Sequence, residues 1–217
     1  KKITKNSILA EAISGCMGPI NNFINNLSAK RHDENSKNLI AVGRFSKEKG
    51  FDDLLDVFKI VNNQKKDWKL DIIGDGVLKN HLINKVKEYS LQNNVIIHGY
   101  KDKEFINKQL SSSSIYVMAS HEESFGLVLI EAQSFALPCI AFDSAKGACE
   151  IIDDKVNGYL IKDRSKKDMA DKIIKLIDDI EVRRDMGRHS RENSYKYSKD
   201  NISYMWFEFL QYISSKQ

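Results

Sequence analysis

The strongest constraint on the fold is a repeated alternation along the chain. Six short apolar runs, at residues 39–42, 68–73, 95–97, 115–118, 139–142 and 158–161, are separated by loops and by segments with helical spacing. Residues 51–61 set Leu54, Leu55, Phe58 and Val61 on one stripe, and residues 78–89 set Leu82, Val86 and Tyr89 on one face. Further helices are expected at 104–110, from a start near Phe125 or Gly126, and at 167–177, 182–193 and 202–213. Strands alternating with helices imply crossover units on a parallel sheet. Strands this short and this apolar suit burial on both faces. The expected fold class is α/β, a Rossmann-like doubly wound parallel sheet of about six strands.

In such a sheet ligands bind at the carboxyl ends of the strands, and the unusual residues fall there. Gly43-Arg44 follows the first run, Gly74-Asp75-Gly76 the second, and His98-Gly99-Tyr100 the third. The fourth is followed by Ser120-His121-Glu122-Glu123-Ser124-Phe125-Gly126-Leu127, which leads into a helix containing Glu131. Free N–H groups and the positive dipole end of that helix make a ready site for an anionic group. Glu123 stays in the loop and Glu131 lies inside the helix, so two carboxylates flank the anion site. Arg44 and Lys49 add two cations to the same edge, which favours a phosphate ligand over a glycosidase carboxylate pair. Each feature also has a plainer reading. Gly74 and Gly76 can simply make a tight turn, Arg44 and Lys49 can be surface cations, His98 can end a strand, and His121 can be solvated. The G-x-G-x-x-G dinucleotide fingerprint is absent.

Composition narrows the partners. A chain of 217 residues can bury one good core with appendages. Residues 1–37 read as a linker or the remnant of a preceding unit, 38–195 as the domain proper, and 196–217 as a closing helical segment. Net charge is +4, but the 34 Lys and Arg are interleaved with 30 Asp and Glu. No dense basic block exists, so nucleic acid is not an expected partner, whereas an anionic ligand or membrane surface stays open. No apolar stretch approaches the ~18 residues of a membrane span. The start, Lys1-Lys2-Ile3-Thr4-Lys5, has no signal-type apolar core and reads as a processed or excised piece. Cys16, Cys139 and Cys149 show no paired spacing, which points to a reducing compartment and to Cys139 as a core residue. No Asp-x-Asp pair is present to hold a divalent ion.

Taken together, Gly43-Arg44-Phe45-Ser46-Lys47-Glu48-Lys49-Gly50, Gly74-Asp75-Gly76 and the Glu123 to Ala132 stretch resemble the donor half of a retaining glycosyltransferase. The family is the large one with the two-domain GT-B fold that includes bacterial polysaccharide and lipopolysaccharide transferases. Its E-x(7)-E signature matches Glu123 and Glu131, and the likeness runs from about residue 38 to 190. Ser120, Pro138, Asn157-Gly158 and the Gly147 to Ile152 stretch, similar to a glycine-rich loop with a glutamate, also fit.

The resemblance implies a site for a nucleotide sugar, UDP-linked as the first expectation with a GDP-linked donor left open, with no cofactor and no metal. Arg44, Lys49 and Glu123 would be the catalytic group, the two cations on the diphosphate and Glu123 on the sugar hydroxyls. Glu131 would take the ribose hydroxyls. Gly43, Gly74, Gly76, His98, Gly99, Tyr100, Ser124, Phe125, Gly126 and Leu127 would line the donor, with the base placed by 98–100. The acceptor, a glycan or lipid-linked precursor, would be bound mainly by a domain preceding this one, and the location would be cytoplasmic, with contact at the inner membrane face left open. A non-catalytic nucleotide-sugar-binding module and a nucleotide-sugar epimerase of the same fold are the alternatives. Ala136 departs from the family, which often has Gly there. The closing helix carries Trp206, Phe207 and Phe209, which read as core or, if the helix returns to the preceding domain, as an association face; the core reading is favoured.

Overall fold

The computed structural model of the chain describes residue 33 and residues 35–215. Most of the 1–37 segment read as a linker, Cys16 included, lies outside the described residues, as do the last two residues of the closing segment. Six strands form one sheet: β1 (Asn38–Val42), β2 (Lys69–Ile73), β3 (Val95–Ile97), β4 (Ile115–Met118), β5 (Cys139–Phe142) and β6 (Gly158–Ile161). Their order is β3-β2-β1-β4-β5-β6, and all neighbours are parallel. The direction of winding reverses between β1 and β4. A crevice opens at such a switch point, above the carboxyl ends of the strands.

The helices are α1 (Phe51–Gln64), α2 (Lys79–Glu88), α3 (Lys103–Ser111), α4 (Leu127–Ser134), α5 (Lys146–Ile151), α6 (Lys166–Asp178), α7 (Ile180–Ser194) and α8 (Lys199–Ser215). Strand side chains alternate between two cores. Leu39, Ala41, Leu70, Ile72, Val117 and Ile140 meet Leu55 and Phe58 of α1, Leu82 of α2 and Ile173 of α6. On the other face Ile40, Tyr116, Met118 and Ala141 meet Leu110 of α3 and Leu129 and Ala132 of α4. Each fully buried aliphatic side chain stabilises the fold by about 1.5–3 kcal/mol, before entropy is counted. Side chains of Asp102, Ser165 and Asp179 accept N–H bonds at the starts of α3, α6 and α7, satisfying donors the helices leave free.

An ionic strap binds α1 to α2 and α6. Asp56 accepts from Lys166 at 2.7 Å and from Tyr89 at 2.8 Å and pairs with Lys85 at 2.8 Å. Burial opposes its charge, but these three bonds win and hold its carboxyl down at about 2.

Two expectations need correction. The Gly147 to Ile152 stretch, read as similar to a glycine-rich loop, lies almost wholly in the short helix α5, Lys146–Ile151; six residues are too few for a periodic apolar signal. The favoured core reading of Trp206, Phe207 and Phe209 fails, because they are 49%, 43% and 53% exposed and α8 has no buried residue. Both sheet faces are covered by other helices, and α8 adds no side chain to either core. By contrast Cys139 is fully buried, as expected. Ala136, just beyond α4, has φ +59°, where an L-residue costs about 1 kcal/mol relative to glycine. No helix among the described residues is long and apolar enough to cross a membrane.

Candidate functional site

The loops after β1, β2 and β3 are laced edge to edge by main-chain bonds. Gly43 N–H donates to Ile73 C=O at 3.0 Å, Phe45 N–H to Asp75 C=O at 2.9 Å, and Gly74 N–H to Gly99 C=O at 3.0 Å. Gly74 has φ +154°, and a Cβ there would sit 1.8 Å from the Gly43 carbonyl oxygen. Only glycine fits so close an approach of two backbones.

At the switch point, Gly43 and Lys49 from the β1 side meet Ser120 and Glu123 from the β4 side around a cavity of about 60 Å³, floored by Tyr116 and Met118. Lys49 Nζ donates to Glu123 Oε2 at 2.6 Å, and the two side chains are 24% and 16% exposed. A pair this sheltered from water is screened far less than a surface one, and stripping either partner leaves a costly lone charge. Arg44 is exposed on the same loop and its guanidinium makes no hydrogen bond or ion pair with the described residues.

Beyond Glu123 the chain turns through Ser124 and the exposed Phe125 to Gly126, the N-cap of α4, at φ +87°. No side chain caps this helix, and Leu129 N–H turns back to Gly126 C=O at 2.8 Å. The N–H groups of Gly126, Leu127 and Val128 meet no acceptor among the described residues, so the helix start is open to an anion. Gly147 of α5 secures the turn from behind, its N–H donating to Glu123 C=O at 2.8 Å. Glu131 lies further along α4 and pairs with Lys103 at the start of α3.

The predicted residues therefore divide. Gly43, Lys49 and Glu123 line one cavity, together with Val128 of α4, while Ser124, Phe125, Gly126 and Leu127 form the turn between Glu123 and Val128 and are not in its lining. Gly74, Gly76 and Gly99 lie in the adjoining laced loops, where Tyr100 is 81% exposed. The His98 side chain is not turned to the crevice: Nε2 meets Asp71 Oδ1 of β2 at 2.6 Å, and the ring packs edge-on against Phe105. Two residues went unnoticed in the sequence: Lys103, which neutralises Glu131, and Arg164, which ties the β4 loop to α1. Their pairings are distant in sequence and carry no local signal. No three His, Cys, Asp or Glu side chains among the described residues converge to hold a metal ion.

Residues 23–193 match the family model described as glycosyl transferases group 1. The chain belongs to that family. Amylovoran biosynthesis glycosyltransferase AmsD of Erwinia amylovora is 34% identical over 198 residues, which covers 89% of this chain and 55% of AmsD. The chain spans from about a quarter to just over half of the length of the curated relatives it matches, 24% to 55%. Among solved structures, Staphylococcus aureus TarM bound to UDP, fondaparinux and α-GlcNAc-glycerol superposes with a TM-score of 0.75 at 30% identity, over 82% of this chain and 36% of TarM. The crystallised C-terminal domain of a group 1 protein, LpcC of Francisella tularensis, gives a TM-score of 0.70 at 28% identity, over 79% of this chain and 97% of that domain. The sheet is thus the fold of the C-terminal half of a GT-B glycosyltransferase, as expected.

Proposed function

We propose that this chain is the donor half of a retaining hexosyltransferase that takes its sugar from UDP. The observation that carries this is the Lys49–Glu123 pair in the switch-point cavity, beside the uncapped start of α4, in a chain of this family. Arg44, Lys49 and the α4 N–H groups take the diphosphate. Glu131 takes the ribose, Glu123 the sugar hydroxyls, and the 98–100 loop the base through its main chain. When the bond from anomeric carbon to phosphate breaks, negative charge grows on the departing diphosphate. Preorganised cations and N–H donors stabilise that charge at the moment it forms. The Lys49–Glu123 pairing couples the two roles. A diphosphate that draws Lys49 away from Glu123 leaves the carboxylate free to accept bonds from the sugar.

The acceptor, a glycan or lipid-linked precursor, binds mainly to a domain preceding residue 38, and the aromatic face of α8 turns toward that domain. The reaction is cytoplasmic, at the inner face of the membrane where such an acceptor is presented. The full-length protein, given a panel of UDP-sugars, is expected to form a glycosidic product whose anomeric configuration by NMR equals that of the donor. An inverted product, or donor binding without any transfer or hydrolysis, contradicts the assignment.

A further inference from the structure

Past β6 the chain makes a tight turn in which Asp163 and Arg164 both take left-handed backbone angles, φ +52° and +49°. Left-handed non-glycine residues carry strain that persists only where surrounding contacts over-determine them. Asp163 is exposed, Ser165 N–H closes the turn onto Lys162 C=O at 3.1 Å, and the side chain of Arg164 ties it to the neighbouring loops. Its guanidinium, in a side chain 22% exposed, is held through both terminal nitrogens. Nη1 donates to Ser120 C=O at 2.8 Å and to Ser144 Oγ at 2.9 Å. Nη2 donates to Ala119 C=O at 2.9 Å and to Asp53 Oδ2 at 2.6 Å, and lies 3.3 Å from His121 Nε2. The planar group also stacks 4.3 Å from the ring centre of Phe142.

Ala119 and Ser120 are the first two residues past β4, so their carbonyls lie beyond the strand and its ladder. The fork of Arg164 supplies both with donors from one rigid planar group, a fixed geometry that a flexible ammonium does not reproduce. The same stretch abuts the turn that carries Lys49. A Cβ on Gly50 would fall 2.0 Å from Ala119 O, and His121 N–H donates to Glu48 C=O at 2.8 Å. Asp53, which lies just past Gly50, is the anchor on the other side. Burial works against its charge, but bonds from Lys166 and Arg164 keep its carboxyl below the usual range.

We propose that Arg164 is a positioning residue of the donor site: its guanidinium clamps the loop after β4 to the start of α1 and so sets the Lys49–Glu123 geometry. The proposal rests on the donor-site reading above. It is independent of the roles of Arg44 and Glu131. Arg164 does not touch the cavity, so it acts through the main chain of Ala119 and Ser120.

Arg164→Gly is the informative variant, because glycine accepts the left-handed angles while removing the clamp. In the chain as it stands, main-chain hydrogen exchange at residues 119–126 and 47–50 is expected to accelerate about tenfold or more, with the β-strand amides unchanged. UDP affinity is expected to fall about tenfold, since small misplacements at a site have large costs. Millimolar guanidinium ion should restore part of that affinity, and equal sodium chloride should not. Arg164→Lys, which keeps the charge but not the fork, is expected to show the same loop-confined acceleration and serves if the glycine variant does not fold. Exchange in both loops equal to the parent, or acceleration spread through the whole sheet, overturns the proposal. A parent chain that binds no UDP counts against the donor reading, and the exchange result still decides the clamp.

Discussion

Replacing Lys49 by alanine is expected to lower transfer by two to three orders of magnitude while the fold survives. Two losses combine. The departing diphosphate loses a preorganised cation, a change that typically costs ~3–4 kcal/mol of barrier. The second loss comes from Glu123, which is 16% exposed and accepts from Lys49 at 2.6 Å. Without that partner its carboxylate faces the incoming phosphates alone and repels them. Steady-state kinetics on the full-length enzyme should therefore show a fall in kcat together with a weaker donor KM. Arg44→Ala should lower turnover in the same direction but without the second loss, because the Arg44 guanidinium has no ion-pair partner among the described residues. A drop below tenfold for Lys49→Ala, in a protein whose circular dichroism and melting match the parent, would remove Lys49 from the diphosphate site.

Glu131→Ala is expected to weaken UDP binding by about ten- to a hundredfold, since hydrogen bonds to a charged group are worth ~1.5–3 kcal/mol. Glu131 also pairs with Lys103 across the α3–α4 gap, so the same change breaks a contact between helices. Lys103→Ala separates the two effects. It breaks the helix contact yet leaves the carboxylate in place, and should keep UDP affinity within a few-fold of the parent if that contact is not needed to hold Glu131. Calorimetry in which Glu131→Ala binds UDP as tightly as the parent would refute the ribose assignment. Equal losses in both variants would make the ion pair, rather than the carboxylate alone, the binding feature.

The sheet was legible because each strand is short, apolar and followed by a glycine or charged loop; the structure moves the element boundaries by only a few residues. The site was legible as a set of loops for the same reason: a doubly wound topology brings strand ends to one edge, whatever the side chains do. What could not be read was which charges meet. Lys49 and Glu123 lie 74 positions apart, and Arg164 and Asp53 lie 111 apart. No periodicity or motif carries such pairings, which depend on how far each loop rises above the sheet. His98 shows the converse. A histidine after a strand at a ligand-bearing edge looked available, yet Asp71, 27 positions earlier and buried in β2, holds its ring. The α8 aromatics failed for a further reason. A helical stripe says that a face wants burial but not whether the surface that buries it belongs to the same domain.

On the function proposed above, the switch-point cavity and the start of α4 form a nucleotide-diphosphate site in this chain. Calorimetric titration of the chain with UDP, beside uridine and inorganic phosphate, tests it most directly. UDP is expected to fill one site per chain, uridine, which lacks the diphosphate, to bind at least tenfold more weakly, and Lys49→Ala to lose UDP affinity correspondingly. No heat with UDP, or uridine binding as tightly as UDP and unaffected by Lys49→Ala, would contradict it.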